Sequence, residues 1–523
     1  MMRAQEKKGR AMRSTTVAAA AMLAAAWFCC AAPADARPVS ASIVRVGGVA
    51  AGAEKYFTVN LQPNAGILGE RAVTRYFERF GLSVQSSPDH TILFVHGTYG
   101  QAAAAGSTSF AAYASKNQRY VGLAAPERYP AAVAGFILDT TMNEGPAAMS
   151  AGMAIGGGGV APPGGYSPAQ IAAYYDIQPI YSGNVFGAGV SAAVLACATI
   201  TPADITKFES NFHLGTNIPT IVLVDGGTTV TDLEPTGDVE RLIGTAPKAS
   251  VTLYVVPNDC SFGHLADGFA KIAADDATAH YAVVSHSYGA TEDDYDFYKA
   301  DADLTAESAD IASLNKQGST VFAVSGDWGA YEPFNQQLNV GEVDPWYPSS
   351  DGGVISVGGT TATSVSPTNP TRLKEIAWGI SGGGVSGKFA IPKWQKGIPG
   401  AASTTMRNAP DVSLDADCGT GYAAVWTPQG GVQGNYWFCG TSFAGPTWAG
   451  MIALVDSGRI AAQKKVLTNV AKLLYNKRKT TGLFLGFTAG TNGYYLVHSP
   501  YNDVTGLGVP NADTMYNTFL ALP

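Results

Sequence analysis

One serine and three carboxylates carry the chemistry this sequence could do. Gly440-Thr441-Ser442-Phe443-Ala444-Gly445-Pro446 sets a tight glycine turn ahead of an apolar stretch that runs to Val455. A hydroxyl at that point lies among the unpaired amides of a helix N-terminus, where the dipole can hold an oxyanion. Such a serine becomes a nucleophile only beside a base. The chain has seven histidines. Of these, His96 in His96-Gly97-Thr98 and His286 both end strand-like runs, and both read as structural. The remaining kind of base is a carboxylate. Glu234 and Asp238 are four residues apart, so a helix presents both on one face. Two carboxyls in contact titrate as a pair, with one pKa raised. Such a pair can accept a proton at a pH where histidine is already charged. Asp327, in Ser325-Gly326-Asp327-Trp328-Gly329, follows a β-rich run. Kept protonated, it can donate a hydrogen bond to a developing oxyanion. Taken singly, each feature has a plainer reading: a helix cap, a solvated acidic helix start, a turn aspartate.

The elements that must position these residues follow from periodicity. Apolar β-rich runs occur at 194–198, 220–224, 251–256, 281–286 and 320–324, with helical stretches between them, for example 265–275 and 304–317. Strands alternating with helices predict an α/β fold with a parallel sheet flanked by helices, and ligands at the carboxyl ends of its strands. Ahead of this lies a smaller α/β unit. It has helical spacing over 65–80, a strand at 91–95, and mixed helix and strand signals at 110–113 and 120–121. The two parts are separated by a Gly/Pro-rich stretch containing Gly156-Gly157-Gly158-Gly159 and Pro162-Pro163-Gly164-Gly165, which predicts an irregular linker open to cleavage. Arg3, Lys7, Lys8, Arg10 and Arg13 precede an apolar run over 17–32 and then Ala34-Asp35-Ala36, the form of a secretory signal peptide. The expected organisation is therefore signal peptide 1–36, prodomain 37–145, linker 146–165 and catalytic domain 166–523.

Composition narrows the function classes. Only 14% of residues are charged and the net charge is −8, which argues against nucleic acid as a partner. Beyond the signal there is no membrane segment, and nothing points to an obligate partner, so a secreted monomer is expected. Four cysteines remain in the exported chain: Cys197, Cys260, Cys418 and Cys439. The pairing that closes the shortest loops is Cys197 with Cys260 and Cys418 with Cys439.

Together these runs resemble the sedolisin family, the serine-carboxyl peptidases. The order Glu234, Asp238, Asp327, Ser442 is the family's. So are Ala246-Pro247, Val283-Val284-Ser285-His286-Ser287-Tyr288-Gly289, Tyr347-Pro348-Ser349-Ser350, Val357-Gly358-Gly359-Thr360, Ser381-Gly382-Gly383-Gly384, Pro410-Asp411-Val412-Ser413 and Thr505-Gly506-Leu507-Gly508. In the N-terminal unit, Tyr76-Phe77-Glu78-Arg79-Phe80-Gly81-Leu82 and Val95-His96-Gly97-Thr98 are similar to the family's activation domain. The resemblance implies a subtilisin-like fold and an acid-active endopeptidase that processes itself. In it Ser442 is the nucleophile, Glu234 the general base and acid, Asp238 its hydrogen-bonding partner, and Asp327 the oxyanion stabiliser. Polypeptides are the implied substrates, and the prodomain the implied intramolecular inhibitor and chaperone.

The sequence departs from the family at several places. Pro235 and Gly237 lie between the paired carboxylates and put Glu234 at a helix cap. Tyr288 stands where the family often has Trp, and 194–197 lacks the acidic residue some members use to extend the network. The one cofactor implied is Ca²⁺, but its two usual aspartates correspond to Gly486 and Asn502. Asp503 is then the remaining candidate ligand, and it also reads as a plain turn residue. Two competing readings are a non-catalytic peptide-binding protein and an ordinary subtilisin that uses His96.

Overall fold

The computed structural model describes residues 43–115, 118–150, 153–154, 165–331, 343–362, 375–487 and 489–523. The expected signal segment 1–36 and the Gly156–Gly159 run lie outside the described residues.

The N-terminal unit contains β1 (Val44–Gly48), β2 (Glu54–Leu61), β3 (Ser83–Ser86), β4 (Ile92–Thr98), β5 (Phe110–Ser115), β6 (Gln118–Leu123) and β7 (Ile137–Thr140). They form two antiparallel sheets, ordered β1-β5-β6 and β3-β4-β2-β7. The helix Gly66–Glu78 turns Val73, Tyr76 and Phe77 inward, as its 3.6-residue period requires. There they meet Phe57, Val59, Leu93 and Val95 of the second sheet in a common core. The segment 110–121, read as mixed helix and strand, is a hairpin of two strands. Pairing on both sides of β5 overrides the weak local signal of its alanines.

Two very short strands follow, β8 (Met149–Ser150) and β9 (Met153–Ala154). The expected linker is thus not irregular throughout. Met149–Ser150 and Met153–Ala154 lie extended, because two open strand edges of the larger unit accept their backbone, which the local Gly/Pro composition does not reveal.

The larger unit is built on β10 (Ser191–Ala196), β11 (Thr220–Leu223), β12 (Ser250–Val255), β13 (Tyr281–His286), β14 (Tyr288–Thr291), β15 (Thr320–Val324), β16 (Trp346–Tyr347), β17 (Val354–Ala362), β18 (Glu375–Ala377), β19 (Gly384–Ala390), β20 (Met406–Ala409), β21 (Val412–Asp415), β22 (Tyr422–Trp426) and β23 (Gly434–Cys439). The main sheet runs β11-β12-β10-β13-β15-β17, parallel throughout. β21 also lies parallel to β17, and β18 closes the end antiparallel. Every residue of β13 and β15 is buried. Since successive side chains point to opposite faces, both faces are covered. The helix Thr441–Ala461 packs on β13, β15 and β17, and the helix Phe262–Ala279 packs on β10 and β12. Among the described residues no helix is long and apolar enough to cross a membrane.

The disulfides are Cys197–Cys260 and Cys418–Cys439, the shortest-loop pairing. β2 and β7 of the N-terminal unit lie against the helices Phe262–Ala279 and Asp301–Gln317. Thr141 Oγ1 donates to Asp267 Oδ1 across this seam at 2.5 Å. Lys55, buried beside it, donates to Glu144 at 3.0 Å.

Candidate active site

The helix Leu233–Thr245 starts one residue before Glu234, with Asp232 as its cap; Asp232 Oδ1 accepts the Leu233 amide at 2.6 Å. Glu234 therefore sits inside the first turn and not at the cap, which corrects the expectation drawn from Pro235. Proline is tolerated there because a first-turn amide has no helical partner to lose. Glu234 and Asp238 share a face, and both are buried. Gly237 between them has a packing reason. A Cβ at that position would lie 2.4 Å from Phe443 Cε1, so only glycine lets this helix approach the one that carries Ser442.

Ser442 is the second residue of the helix Thr441–Ala461, and its N-cap Gly440 has φ 113°, a region where any side chain would be strained. Pro446 lacks the amide that would bond the Ser442 carbonyl four residues earlier. Asp327 follows β15 by three residues, at the carboxyl end of the sheet, and Ser287 joins β13 to β14. The four residues singled out in the sequence are thus delivered by a helix after β11, the end of β15 and the helix after β23. Asp238, Ser442 and Asp327 all act on the Glu234 carboxyl, and all four residues are buried.

Two hydrogen-bond sets fix them. Ser287 Oγ donates to Asp238 Oδ1 at 2.9 Å. Asp327 Oδ1 accepts from the Thr441 amide at 2.8 Å and from the Thr441 hydroxyl at 2.7 Å. The second carboxyl oxygen of each aspartate, Asp238 Oδ2 and Asp327 Oδ2, is buried without a protein partner. Burial pushes the Glu234 carboxyl well above its ordinary range. The charges of Asp238, Asp327 and Asp232 push the same way, and the nearby Ser442 hydroxyl pulls it partly back. The Ser442–Glu234 contact is loose: neither Ser442 Oγ nor Glu234 Oε1 has a partner at hydrogen-bond geometry. Catalytic hydrogen bonds often tighten only when substrate binds. Burial also raises Asp238, against the bond from Ser287. Burial lifts Asp327 to about 7, against its two bonds from Thr441. At acid pH Asp327 is therefore a neutral carboxylic acid. Its Oδ1 is committed to accepting, so its proton resides on Oδ2.

Sequence reasoning missed Ser287 and Thr441 as partners, although both sit inside runs it had marked. Tyr288 is buried on β14, and burial together with the charges of Glu234 and Asp238 keeps its phenol protonated. His96 is not part of the site. It lies on β4 of the N-terminal unit, stacked on Tyr56 with ring centroids 4.1 Å apart. His286 is buried, its Nδ1 3.3 Å from the Leu195 carbonyl, and burial lowers its pKa to about 4.

β8 pairs antiparallel with β14, Ser150 opposite Tyr288 and Met149 opposite Gly289. β9 pairs antiparallel with β23, Ala154 opposite Phe438 and Met153 opposite Cys439. β14 begins one residue after Ser287, and β23 ends three residues before Ser442. The linker backbone thus pairs with both flanks of the site.

The C-terminal loop does not fit a calcium ion. Gly486 offers no side-chain oxygen. Asn502 Oδ1 accepts the amides of Val504 at 3.0 Å and Thr505 at 2.9 Å, and its Nδ2 donates to the His498 carbonyl and to Thr505 Oγ1. Asp503 Oδ2 accepts the Ala402 amide at 3.0 Å, and burial raises its pKa to about 7. Calcium wants about six to eight oxygens with carboxylate charge among them. Among the described residues no cluster of acidic, His or Cys side chains is arranged to hold a metal.

The subtilase family matches residues 215–478, just over half of the chain, a span that contains Glu234, Asp238, Asp327 and Ser442. Kumamolisin from Bacillus sp. (strain MN-32) is 29% identical over 321 residues, which cover 57% of this chain and 53% of that one. Sedolisin from Pseudomonas sp. (strain 101) is 31% identical over 271 residues, covering 49% and 43%. The chain thus spans about half the length of the curated relatives it matches. Among solved structures, Pseudomonas sedolisin (serine-carboxyl proteinase), complexed with two molecules of pseudo-iodotyrostatin, is 24% identical. Its TM-score is 0.56, over 68% of this chain and 97% of that one, a likeness of fold.

Proposed function

Since the chain belongs to the subtilase family, and within it to the sedolisin kind, we propose that it is a secreted, acid-active serine endopeptidase made as a self-processing proenzyme. The observation that carries this reading is the arrangement at Asp327. One oxygen accepts twice from Thr441, and the other is left to hold a proton in acid beside the start of the Ser442 helix.

In this reading Ser442 Oγ attacks the scissile carbonyl carbon and its proton passes to Glu234. Asp238, held by Ser287, limits the charge the pair carries and returns Glu234 to its accepting state. The tetrahedral oxyanion takes a hydrogen bond from Asp327 Oδ2 and lies at the positive end of the Ser442 helix. Glu234 then gives its proton to the leaving amine, and water hydrolyses the acyl-enzyme with Glu234 again as base. The pairing of β8 and β9 on the two flanks of the site supports self-processing. The linker lies as a substrate would, and the proposed cut falls between Ser150 and Met153. Until that cut, the N-terminal unit acts as an intramolecular inhibitor by keeping its own backbone in the cleft.

Turnover of an unfolded protein at about pH 4, near the ordinary carboxylate range, tests the reading. Ser442→Ala should lower it by on the order of 10⁴-fold or more. Turnover that survives the substitution contradicts the proposal.

A further inference from the structure

Cys197 directly follows β10, whose sheet neighbours are β12 and β13. Past the end of β12 the chain is tied back to β10 three times. The Val256 amide donates to the Ala196 carbonyl at 3.0 Å, Asn258 Nδ2 donates to the Cys197 carbonyl at 3.1 Å, and Cys260 is bonded covalently to Cys197. Cys260 itself has φ 52°, a left-handed conformation that a non-glycine residue keeps only when its surroundings hold it. The loop so fixed touches the linker. The Ala148 amide donates to the Cys260 carbonyl at 2.7 Å, and Ala147 forms an antiparallel bridge with Ser261. On its other side the same linker strand pairs with β14. The extended chain at 147–150 therefore lies between two walls. One, β14, continues from β13 through Ser287. The other, residues 258–261, is hung on β10 by the disulfide.

We propose that Cys197–Cys260 is a positioning element of the peptide groove: it sets the width of the groove ahead of the scissile bond and so determines how far upstream a substrate is read. This rests on the peptidase reading above, in which a substrate takes the place of the linker. The disulfide does not take part in bond cleavage. It acts through the backbone of residues 258–261, which bonds substrate backbone and is indifferent to side-chain identity, so it confers a preference for extended peptides of some length and not for one residue type.

Two measurements test it. The first is hydrogen exchange on the full chain in a Ser442→Ala background, where the linker stays whole. Replacing both cysteines with alanine should speed exchange of the Ala148 amide by about tenfold, leaving amides in β10 and β13 unchanged. Asn258→Ala, which keeps the disulfide, should do the same by about threefold. Unchanged Ala148 exchange in both variants overturns the proposal, as does a uniform rise across β10 and β13 in both. The second uses two peptides cut at one bond by the processed protein. One ends upstream at the position of Met149 and the other extends to the position of Pro146. Loss of the disulfide should raise KM for the long peptide by about tenfold with little change in kcat, and leave the short one unaffected. Equal losses for both peptides overturn it. Should the unsubstituted protein cleave neither peptide while Ala148 exchange responds as described, the peptidase reading fails and the wall assignment stands.

Discussion

Two sets of buried carboxyls flank the same sheet and face different partners. At the proposed active site, Glu234, Asp238 and Asp327 meet the hydroxyls of Ser442, Ser287 and Thr441. At the seam with the N-terminal unit, carboxyls meet carboxyls. Asp139 of β7 faces Asn60 and Glu127, and Asp310 of the helix Asp301–Gln317 faces Asp139, Asp267, Asp89 and Asn60. Asp225 faces Asp267 and Asp259, with Lys55 as the nearby cation. Burial raises the carboxyls in both places, Asp139 to about 6 and Asp310 and Asp225 well above the ordinary range. The same physics gives opposite demands. The site needs one proton to leave Ser442 for a carboxylate. The seam has no proton to move, and burial there favours the neutral form of Asp139, Asp310 and Asp225. A raised pKa is therefore no mark of function by itself; what distinguishes the proposed site is that its carboxyls meet hydroxyls and that Asp327 keeps one buried oxygen without a partner.

Four measurements separate the two regions. Glu234→Gln keeps the shape and removes the base. It should lower kcat/KM by about 10²- to 10⁴-fold, measured on an unfolded protein substrate. A loss near that of a surface substitution would place the base elsewhere. At the seam, docking takes up protons, because packing against the helix Asp301–Gln317 adds to the burial that raises Asp139 above the ordinary carboxyl value of about 3.9. Its stabilising contribution is complete below that value and is lost as pH rises through about 6. Asp139→Asn should therefore tighten docking of the cut N-terminal unit near neutral pH by up to about 2 kcal/mol, and change it little in acid. Affinity measured at both pH values checks the sign. The prediction fails if the unsubstituted unit binds more tightly at neutral pH.

Asp327→Asn sharpens the other half of the comparison. Asparagine still accepts from Thr441 and donates from Nδ2 at every pH. The decline in activity as pH rises through about 7, where Asp327 loses its proton, should flatten, with a loss of about tenfold at the acid optimum. An unchanged alkaline limb would assign that limb to another group. The smallest effect concerns calcium. Because Asn502 already spends its oxygen on Val504 and Thr505, a chelator should move the melting temperature by less than about 2 °C, within the range of a sub-kcal effect. A larger drop would mean that the loop opens to take a metal.

The sequence made the parallel sheet legible because β13 and β15 each carry an unbroken apolar run, Tyr281–Val284 and Val321–Val324, and it made Glu234, Asp238, Asp327 and Ser442 legible because family-like runs surround each of them. It misjudged Glu234 by giving Pro235 too much weight, since the Asp232 cap that starts the helix is decided by local geometry. The early linker was hidden altogether. Strand pairing at Met149–Ser150 and Met153–Ala154 comes from the open edges of β14 and β23, far away in sequence, and composition at the linker carries no trace of it. The carboxyl seam was hidden for the same reason. Nothing in the local pattern marks Asp139 and Asp310, which face each other from elements far apart in the chain.

The most direct test is an intact-mass time course of the full chain after acidification, beside the Ser442→Ala chain. The unsubstituted chain should separate into two fragments whose boundary falls between Ser150 and Met153, and the Ser442→Ala chain should stay whole. Cleavage of both chains at the same rate, or a boundary outside the stretch that lies between β8 and β9, would contradict the proposed function.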